Sequence, residues 1–159
     1  MTLIDPTLTP EARLARLGLV LPNVPSPVGA FCNVRRSGNM LYISGQGPLQ
    51  ADGTFASGKV GAEVSAEQAR GHAERVGMVI LAILRDYCGS LDSVAGIVKL
   101  LGLVNATPDF ERHPFVIDGA SELLSSVFGE TGIHARSAFG VSSLPNRISV
   151  EIEAICELN

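Results

Sequence analysis

The stretch HARSAFGVSSLPNRISVEIEAICE, from His134 to Glu157, decides how the chain folds at its end. Two β-rich runs, residues 137–141 and 148–156, flank a turn-rich segment that contains Pro145 and Asn146. Proline, asparagine and serine between two apolar runs are typical of a hairpin loop. The stretch therefore predicts two adjoining antiparallel strands.

The second run alternates between apolar and polar side chains, which is the period of a strand with one buried face. One face carries the carboxylates of Glu151, Glu153 and Glu157. The members of the other face are apolar: Ile148, Val150, Ile152, Ala154 and Cys156. The run thus predicts a core face and a carboxylate face.

On the first run, Arg136 points to the same side as Ala138 and Gly140. Neither neighbour is large enough to fill the space beside a guanidinium, so we expect a gap there that a ligand could occupy. In a hairpin, Arg136 and Glu151 would lie on adjoining strands within about 10 Å of each other. The pair is our first candidate site.

Composition narrows the class of protein. A chain of 159 residues is expected to form a single domain, residues 1–159, and its 46% hydrophobic share suggests an additional buried surface in an oligomer. The net charge of −4 and the absence of a basic cluster make nucleic acid an unfavoured partner. No window approaches the ~20 apolar residues of a membrane span, and no leader pattern is present, so we expect a cytoplasmic protein.

The sequence contains no pattern that is typical of a metal or cofactor site. The three cysteines, Cys32, Cys88 and Cys156, are odd in number and have no CxxC spacing, so they predict neither a disulfide framework nor a zinc site. His134 and His113 have no second ligand at metal-binding spacing. We therefore expect no metal and no cofactor.

The first half of the chain predicts a helix, an arm and a hairpin. Thr9 and Pro10 begin a short helix that Gly18 ends, and three prolines then keep the chain extended, so residues 1–28 form a helix and an arm. Residues 31–36 and 40–44 are strand-like runs on either side of a Ser-Gly-Asn turn. These runs predict the first hairpin.

The middle of the chain predicts two helices around a strand. Ser65 and Gln68 have the form of a capping box, and apolar residues at helical spacing follow until Gly89. Residues 95–105 are apolar on both faces apart from Lys99, which is typical of a strand inside a sheet or under an oligomer contact. A second helical region is expected from Pro108 to Gly129.

Together these elements predict an α+β domain in which two helices cover one face of a mixed sheet. The other face would remain uncovered by this chain. A symmetric homo-oligomer is the simplest cover, and it would place Arg136 and Glu151 in a groove between subunits.

Several short motifs are distinctive: SGQ-G-P at residues 44–48, IVK at 97–99, and above all AR-S at 135–137 followed by LP and VEIEAI at 150–155. Together they resemble the motifs of the RidA family, also called the YjgF-like, reactive-intermediate imine deaminase or endoribonuclease L-PSP-like family. The resemblance implies a chorismate-mutase-like fold and a homotrimer with clefts between subunits. It also implies hydrolysis of 2-imino (enamine) acids to 2-oxo acids and ammonia, with small carboxylates or imino acids as ligands.

The resemblance also implies roles for individual residues. Arg136 matches the arginine that binds the substrate carboxylate, for which a planar fork of donors is suited. Glu151 matches the acidic residue that positions the attacking water. Ser44 and Gly45 match positions that line the cleft, and Ala138 matches a position whose backbone N–H can meet the carboxylate.

The chain also departs from the family pattern. Phe31 stands where RidA proteins have a tyrosine, Ala138 stands where many have a cysteine, and Asp118 is our counterpart for a cleft asparagine. With the extended N-terminus, these changes indicate a longer, divergent subgroup. A non-catalytic protein that binds a small carboxylate is therefore the alternative, and an endoribonuclease is a weaker one. A further hypothesis is that Arg136 only forms an ion pair with Glu151 or Glu153 across a subunit contact.

Overall fold

The computed structural model describes residues 7–159, so the first six residues of the predicted 1–159 domain lie outside it. Its centre is a five-stranded mixed sheet of order β1-β2-β5-β3-β4, in which only the β3–β4 pair is parallel. The strands are β1 (Val34–Ser37), β2 (Met40–Gln46), β3 (Val94–Asn105), β4 (Ala135–Val141) and β5 (Val150–Leu158). The first hairpin and the interior position of β3 are thus confirmed.

In the described part of the chain, the sheet is accompanied by three α-helices: α1 (Pro10–Arg16), α2 (Ala66–Cys88) and α3 (His113–Phe128). The capping box of α2 is present, since Ser65 Oγ accepts from the backbone N–H of Gln68 and the Gln68 side chain accepts from the N–H of Ser65. Gly89 ends α2 with a φ of 79°, a left-handed conformation that favours glycine. Within residues 7–159, no helix is both long and apolar enough to cross a membrane.

The second long helix begins later than the sequence predicts. Pro108 and Asp109 do not start it; the N–H of Phe110 instead donates to the carbonyl of Thr107 in a turn. The helix starts at His113, with Pro114 in the first turn, where a missing N–H costs nothing.

The core lies between the two long helices and one face of the sheet. Val150, Ile152, Ala154 and Cys156 of β5 are buried against the helices, as the alternation predicts. On the opposite face, Tyr42 and Phe139 remain 45% and 47% exposed. The predicted arrangement of two helices on one face of a mixed sheet is therefore confirmed.

The predicted hairpin at the end of the chain is wrong. β4 and β5 do not pair, because β3 lies between them, parallel to β4 and antiparallel to β5. The turn-rich segment is a crossing that carries the chain from the edge of the sheet to its centre. It contains a tight turn in which Asn146 and Arg147 have positive φ values of 52° and 56°. A strand that is apolar on both faces is buried best between two others, and β3 takes that place.

One glycine of α2 offers a test of the packing. Gly71 lies inside the helix, and a Cβ added there would meet no atom within 4 Å. Because glycine in a helix interior is about 0.5–1 kcal/mol less favourable than alanine, Gly71→Ala should stabilise the protein by roughly that amount. Urea unfolding at constant m-value measures it. A destabilised variant would show that this surface of α2 is covered in solution.

Candidate functional site

Glu151 lies on the open face of the sheet, in a row that crosses three strands. It is paired with Leu103 on β3, and Leu103 is paired with Phe139 on β4. Burial raises the pKa of the Glu151 carboxyl, and the neighbouring charge of Glu153 raises it further. A half-buried carboxyl with a raised pKa takes up a proton more readily than an exposed one, which suits a group that accepts and returns a proton.

The backbone beside Glu151 is shaped by a β-bulge in β2. Ile43 pairs with Ala154 and Gln46 with Ile152, so Ser44 and Gly45 together oppose a single residue of β5. The carboxylate of Glu151 lies over Gly45, because a methyl group added at Gly45 would overlap Glu151 Oε1. The glycine therefore leaves the space that the carboxylate occupies.

Ser44 ties the end of the arm to this bulge. Its hydroxyl donates to the carbonyl of Cys32 at 2.7 Å, and its N–H donates to the carbonyl of Asn33 at 3.0 Å. Phe31 precedes this attachment and is 52% exposed. The structure thus places Ser44 and Gly45 beside Glu151, and it tethers the segment that carries Phe31 to the same bulge.

Arg136 lies on the other face of the sheet, against α3. Its Nη1 donates to Asp118 Oδ1 at 2.7 Å and to Ser121 Oγ at 3.0 Å. Among residues 7–159, its Nε and Nη2 have no hydrogen-bond partner. The side chain is 21% exposed, so the guanidinium is anchored by one nitrogen and offers a two-donor edge to a ligand. Asp118, our counterpart for the cleft asparagine, thus lies in contact with Arg136, and within this chain Arg136 does not pair with Glu151 or Glu153.

Two further side chains support this arginine, and sequence reasoning missed their role. His134 Nε2 lies 3.0 Å from Ser121 Oγ, and His134 Nδ1 lies 2.6 Å from the carbonyl of Gly132. The available signal was the spacing of Asp118 and Ser121, which are three residues apart and so share a helix face.

The expected gap beside Arg136 is partly filled. A Cβ on Gly140 would lie 2.5 Å from Nε2 of His113, so the imidazole closes the space over Gly140. His113 itself is held edge-to-face against Phe110, with ring centroids 5.2 Å apart. Ala138 is partly buried against the core. The space over Gly140 is therefore closed to a ligand.

The candidate residues therefore fall into two groups on opposite faces of the sheet. The first group lies on the helix-covered side of the edge strand β4 and consists of Arg136 and Ala138 of that strand and Asp118 of α3. The second group lies on the open face and consists of Ser44, Gly45 and Glu151. Arg136 is paired with Leu100, whereas Glu151 is paired with Leu103, and β3 separates them. The expectation that both residues lie on adjoining strands is wrong. Within residues 7–159, no three His, Cys, Asp or Glu side chains are grouped to hold a metal ion.

The space over Gly45 can be tested directly. Gly45→Ala should displace the Glu151 carboxylate, since the added methyl and Oε1 cannot occupy the same volume. We expect any reaction that uses the Glu151 carboxylate as its acid–base group to slow by at least about tenfold, because loss of such a group costs 100-fold or more. Gly71→Ala is the matched control, as it adds the same methyl group in open space. Equal activity of the two variants would contradict this placement of Glu151.

Comparison with known proteins places the chain among relatives of similar length. A family model described as "YjgF/chorismate_mutase-like, putative endoribonuclease" matches residues 11–157. The Trypanosoma cruzi protein TCP17 is 38% identical over 93% of each chain. A Shewanella oneidensis structure, described as "a putative endoribonuclease", is 31% identical, with a TM-score of 0.91 over 95% of this chain and all of that one. RidA from an Antarctic Psychrobacter is 27% identical, with a TM-score of 0.58 over 86% of this chain and 94% of that one.

Proposed function

Because the chain belongs to the YjgF/chorismate mutase-like family, we propose that it hydrolyses 2-imino and enamine acids to 2-oxo acids and ammonia. Arg136 binds the substrate carboxylate and Glu151 positions the water, in a cleft between two copies of the chain. The proposal extends to a homotrimer, as the family resemblance implies.

The observation that carries the proposal is the anchored guanidinium with a free edge. Nη1 of Arg136 is held by Asp118 and Ser121, which leaves Nε and Nη2 as two parallel donors. Such an edge matches the two oxygens of a carboxylate, and charge-assisted pairs of this kind are strong and directional. Binding of the substrate carboxylate there would hold the reactive carbon of the substrate at a fixed distance from the arginine.

Arg136 and Glu151 lie on opposite faces of the sheet. A cleft that contains both residues would therefore have to form between two chains. The edge strand β4 carries Arg136 and has one unpaired side, while the open face that carries Glu151 has exposed apolar neighbours such as Phe139. Covering that face with a second copy would bury apolar surface, which favours association. It would also bring the arginine of one chain towards the glutamate of another.

The reaction balances with Glu151 as the only acid–base group. The water oxygen forms a bond to the imine carbon while Glu151 takes one proton from the water. Glu151 returns that proton to the imine nitrogen, which gives the amino alcohol. Glu151 then takes the proton of the new hydroxyl group and passes it to the nitrogen, so the C–N bond breaks as the C=O bond forms, and the 2-oxo acid and ammonia are released. An enamine first takes a proton on carbon to become the imine. The raised pKa of Glu151 supports both halves of this exchange.

The alternative function is binding of a small 2-oxo acid without turnover. Phe31 and Ala138 favour it, because neither supplies the hydroxyl or thiol that RidA proteins have at these positions. RNA cleavage is a weaker alternative, since the chain has a net charge of −4 and RNA binding needs a positive surface.

One assay separates these functions. An amino-acid oxidase generates an imino acid in the presence of the purified protein, and the loss of imine is compared with buffer alone. We expect a clear rate above buffer. No rate, with a melting temperature that 2-oxobutanoate still raises, would leave only the binding function. Cleavage of RNA that is lost in Arg136→Ala would favour the ribonuclease instead.

A further inference from the structure

A chain of three hydrogen bonds runs from the guanidinium of Arg136 to the backbone. Arg136 Nη1 donates to Ser121 Oγ at 3.0 Å, Ser121 Oγ lies 3.0 Å from His134 Nε2, and His134 Nδ1 lies 2.6 Å from the carbonyl oxygen of Gly132. A carbonyl can only accept, so Nδ1 carries the imidazole proton. It follows that Nε2 accepts from the hydroxyl of Ser121, whose oxygen is then free to accept from Arg136.

The environment of His134 keeps this direction of bonding at neutral pH. Burial lowers the pKa of His134; the bond to Gly132 acts against this, and the positive charge of Arg136 lowers the pKa further. The imidazole is therefore neutral, as the chain of bonds requires. Without His134 the Ser121 hydroxyl could rotate and turn its proton towards the guanidinium.

A contact with Asp118 alone would not fix the orientation of the guanidinium. One of its oxygens accepts from Arg136, while the other lies 3.9 Å from Arg70 Nη1. A single contact between flexible side chains supplies attraction but permits rotation. Two acceptors on one nitrogen, from Asp118 and Ser121, restrict the plane of the guanidinium.

We propose that Ser121 and His134 are positioning residues for carboxylate recognition, which fix Nη1 of Arg136 so that its Nε–Nη2 edge faces the ligand. This inference rests on the proposed function of Arg136. It adds two residues that touch no substrate and act through the arginine.

The first test measures affinity for 2-oxobutanoate by calorimetry. Ser121→Ala should raise the Kd about tenfold, which corresponds to about 1.4 kcal/mol. In the hydrolysis assay, Ser121→Ala should raise KM and leave kcat unchanged, because the arginine binds the ground state and the transition state alike. Ser126→Ala is the matched control, since Ser126 lies on the same helix and its hydroxyl donates to the Glu122 carbonyl. Equal Kd values for the two serine variants would overturn the proposal.

A pair of histidine variants tests the direction of the bonds. His134→Gln retains an acceptor near the position of Nε2, whereas His134→Ala retains none. We expect His134→Ala to weaken binding as much as Ser121→Ala, and His134→Gln to restore part of the affinity. Equal affinity of His134→Ala and wild type would contradict a role for the imidazole.

A measurement without ligand separates this inference from the proposed function. In proton–nitrogen NMR spectra of arginine-labelled protein, restricted rotation gives Arg136 resolved Nη1 signals, which Arg136→Lys identifies. We expect Ser121→Ala to average these signals and Ser126→Ala to keep them. Unchanged signals in Ser121→Ala would overturn the positioning role, even if the protein binds carboxylates. Averaged signals in a protein that neither binds nor hydrolyses would support the positioning role and refute the proposed function.

Discussion

Replacing Arg136 with alanine should lower kcat/KM for imino-acid hydrolysis by about a thousandfold. Two hydrogen bonds to a charged donor edge contribute roughly 3–6 kcal/mol together, and each 1.4 kcal/mol is about a tenfold effect. Binding of 2-oxobutanoate should weaken by a similar factor. Steady-state kinetics and calorimetry measure the two effects.

Two further variants define what the arginine supplies. Arg136→Lys keeps the charge but loses the planar edge, so it should recover only a small part of the activity. Arg112→Ala removes a surface arginine that pairs with Glu67, and it should leave the activity unchanged. Full activity of Arg136→Lys would show that charge alone is required, and it would contradict bidentate binding.

The second large effect is expected from Glu151→Gln. Glutamine fills the same volume but cannot take a proton from water, so kcat should fall by about 100- to 10,000-fold. Affinity for 2-oxobutanoate should remain close to that of wild type, because the product needs no proton transfer to bind. Glu157→Gln is the control, since Glu157 lies on the same strand and accepts from Asn39. A large loss of binding in Glu151→Gln would contradict a role limited to the chemical step.

The raised pKa of Glu151 has a second consequence, for stability. A carboxyl whose folded pKa lies above its unfolded value stabilises the fold only while it is protonated, and that contribution is lost as the pH rises through the folded pKa. At pH 7, which lies above the ordinary glutamate pKa, the raised pKa of Glu151 therefore lowers stability relative to a neutral side chain. We expect Glu151→Gln to unfold at a higher urea concentration than wild type at pH 7. The difference should vanish below the ordinary glutamate pKa of 4.5. A difference that persists there would have another cause.

The fold was predictable where the signal is local. The capping box at Ser65 and the alternation along β5 specify a helix and a half-buried strand from neighbouring residues alone. The prediction for the end of the chain was wrong, because Pro145 and Asn146 indicate a turn but do not specify which strand lies next to β4. Insertion of β3 depends on long-range burial, which a turn signal does not contain.

The candidate site was predictable in its residues but not in its geometry. Arg136 and Glu151 were identified from motif and alternation. Their opposite faces follow from the strand register, because their partners on β3, Leu100 and Leu103, are three residues apart. The filling of the space over Gly140 by His113 depends on how α3 lies across β4. The support of Arg136 by Ser121 likewise joins residues that only the folded chain brings together.

We propose that Arg136 of one chain and Glu151 of another form one site, and mixing two inactive variants tests this pairing most directly. Arg136→Ala and Glu151→Gln chains are unfolded and refolded together at equal amounts. In a random mixture, about one quarter of the intersubunit sites receive both native residues. We therefore predict recovery of about one quarter of the wild-type hydrolysis rate, although each variant refolded alone stays inactive. No recovery in mixed oligomers would contradict a site shared between chains.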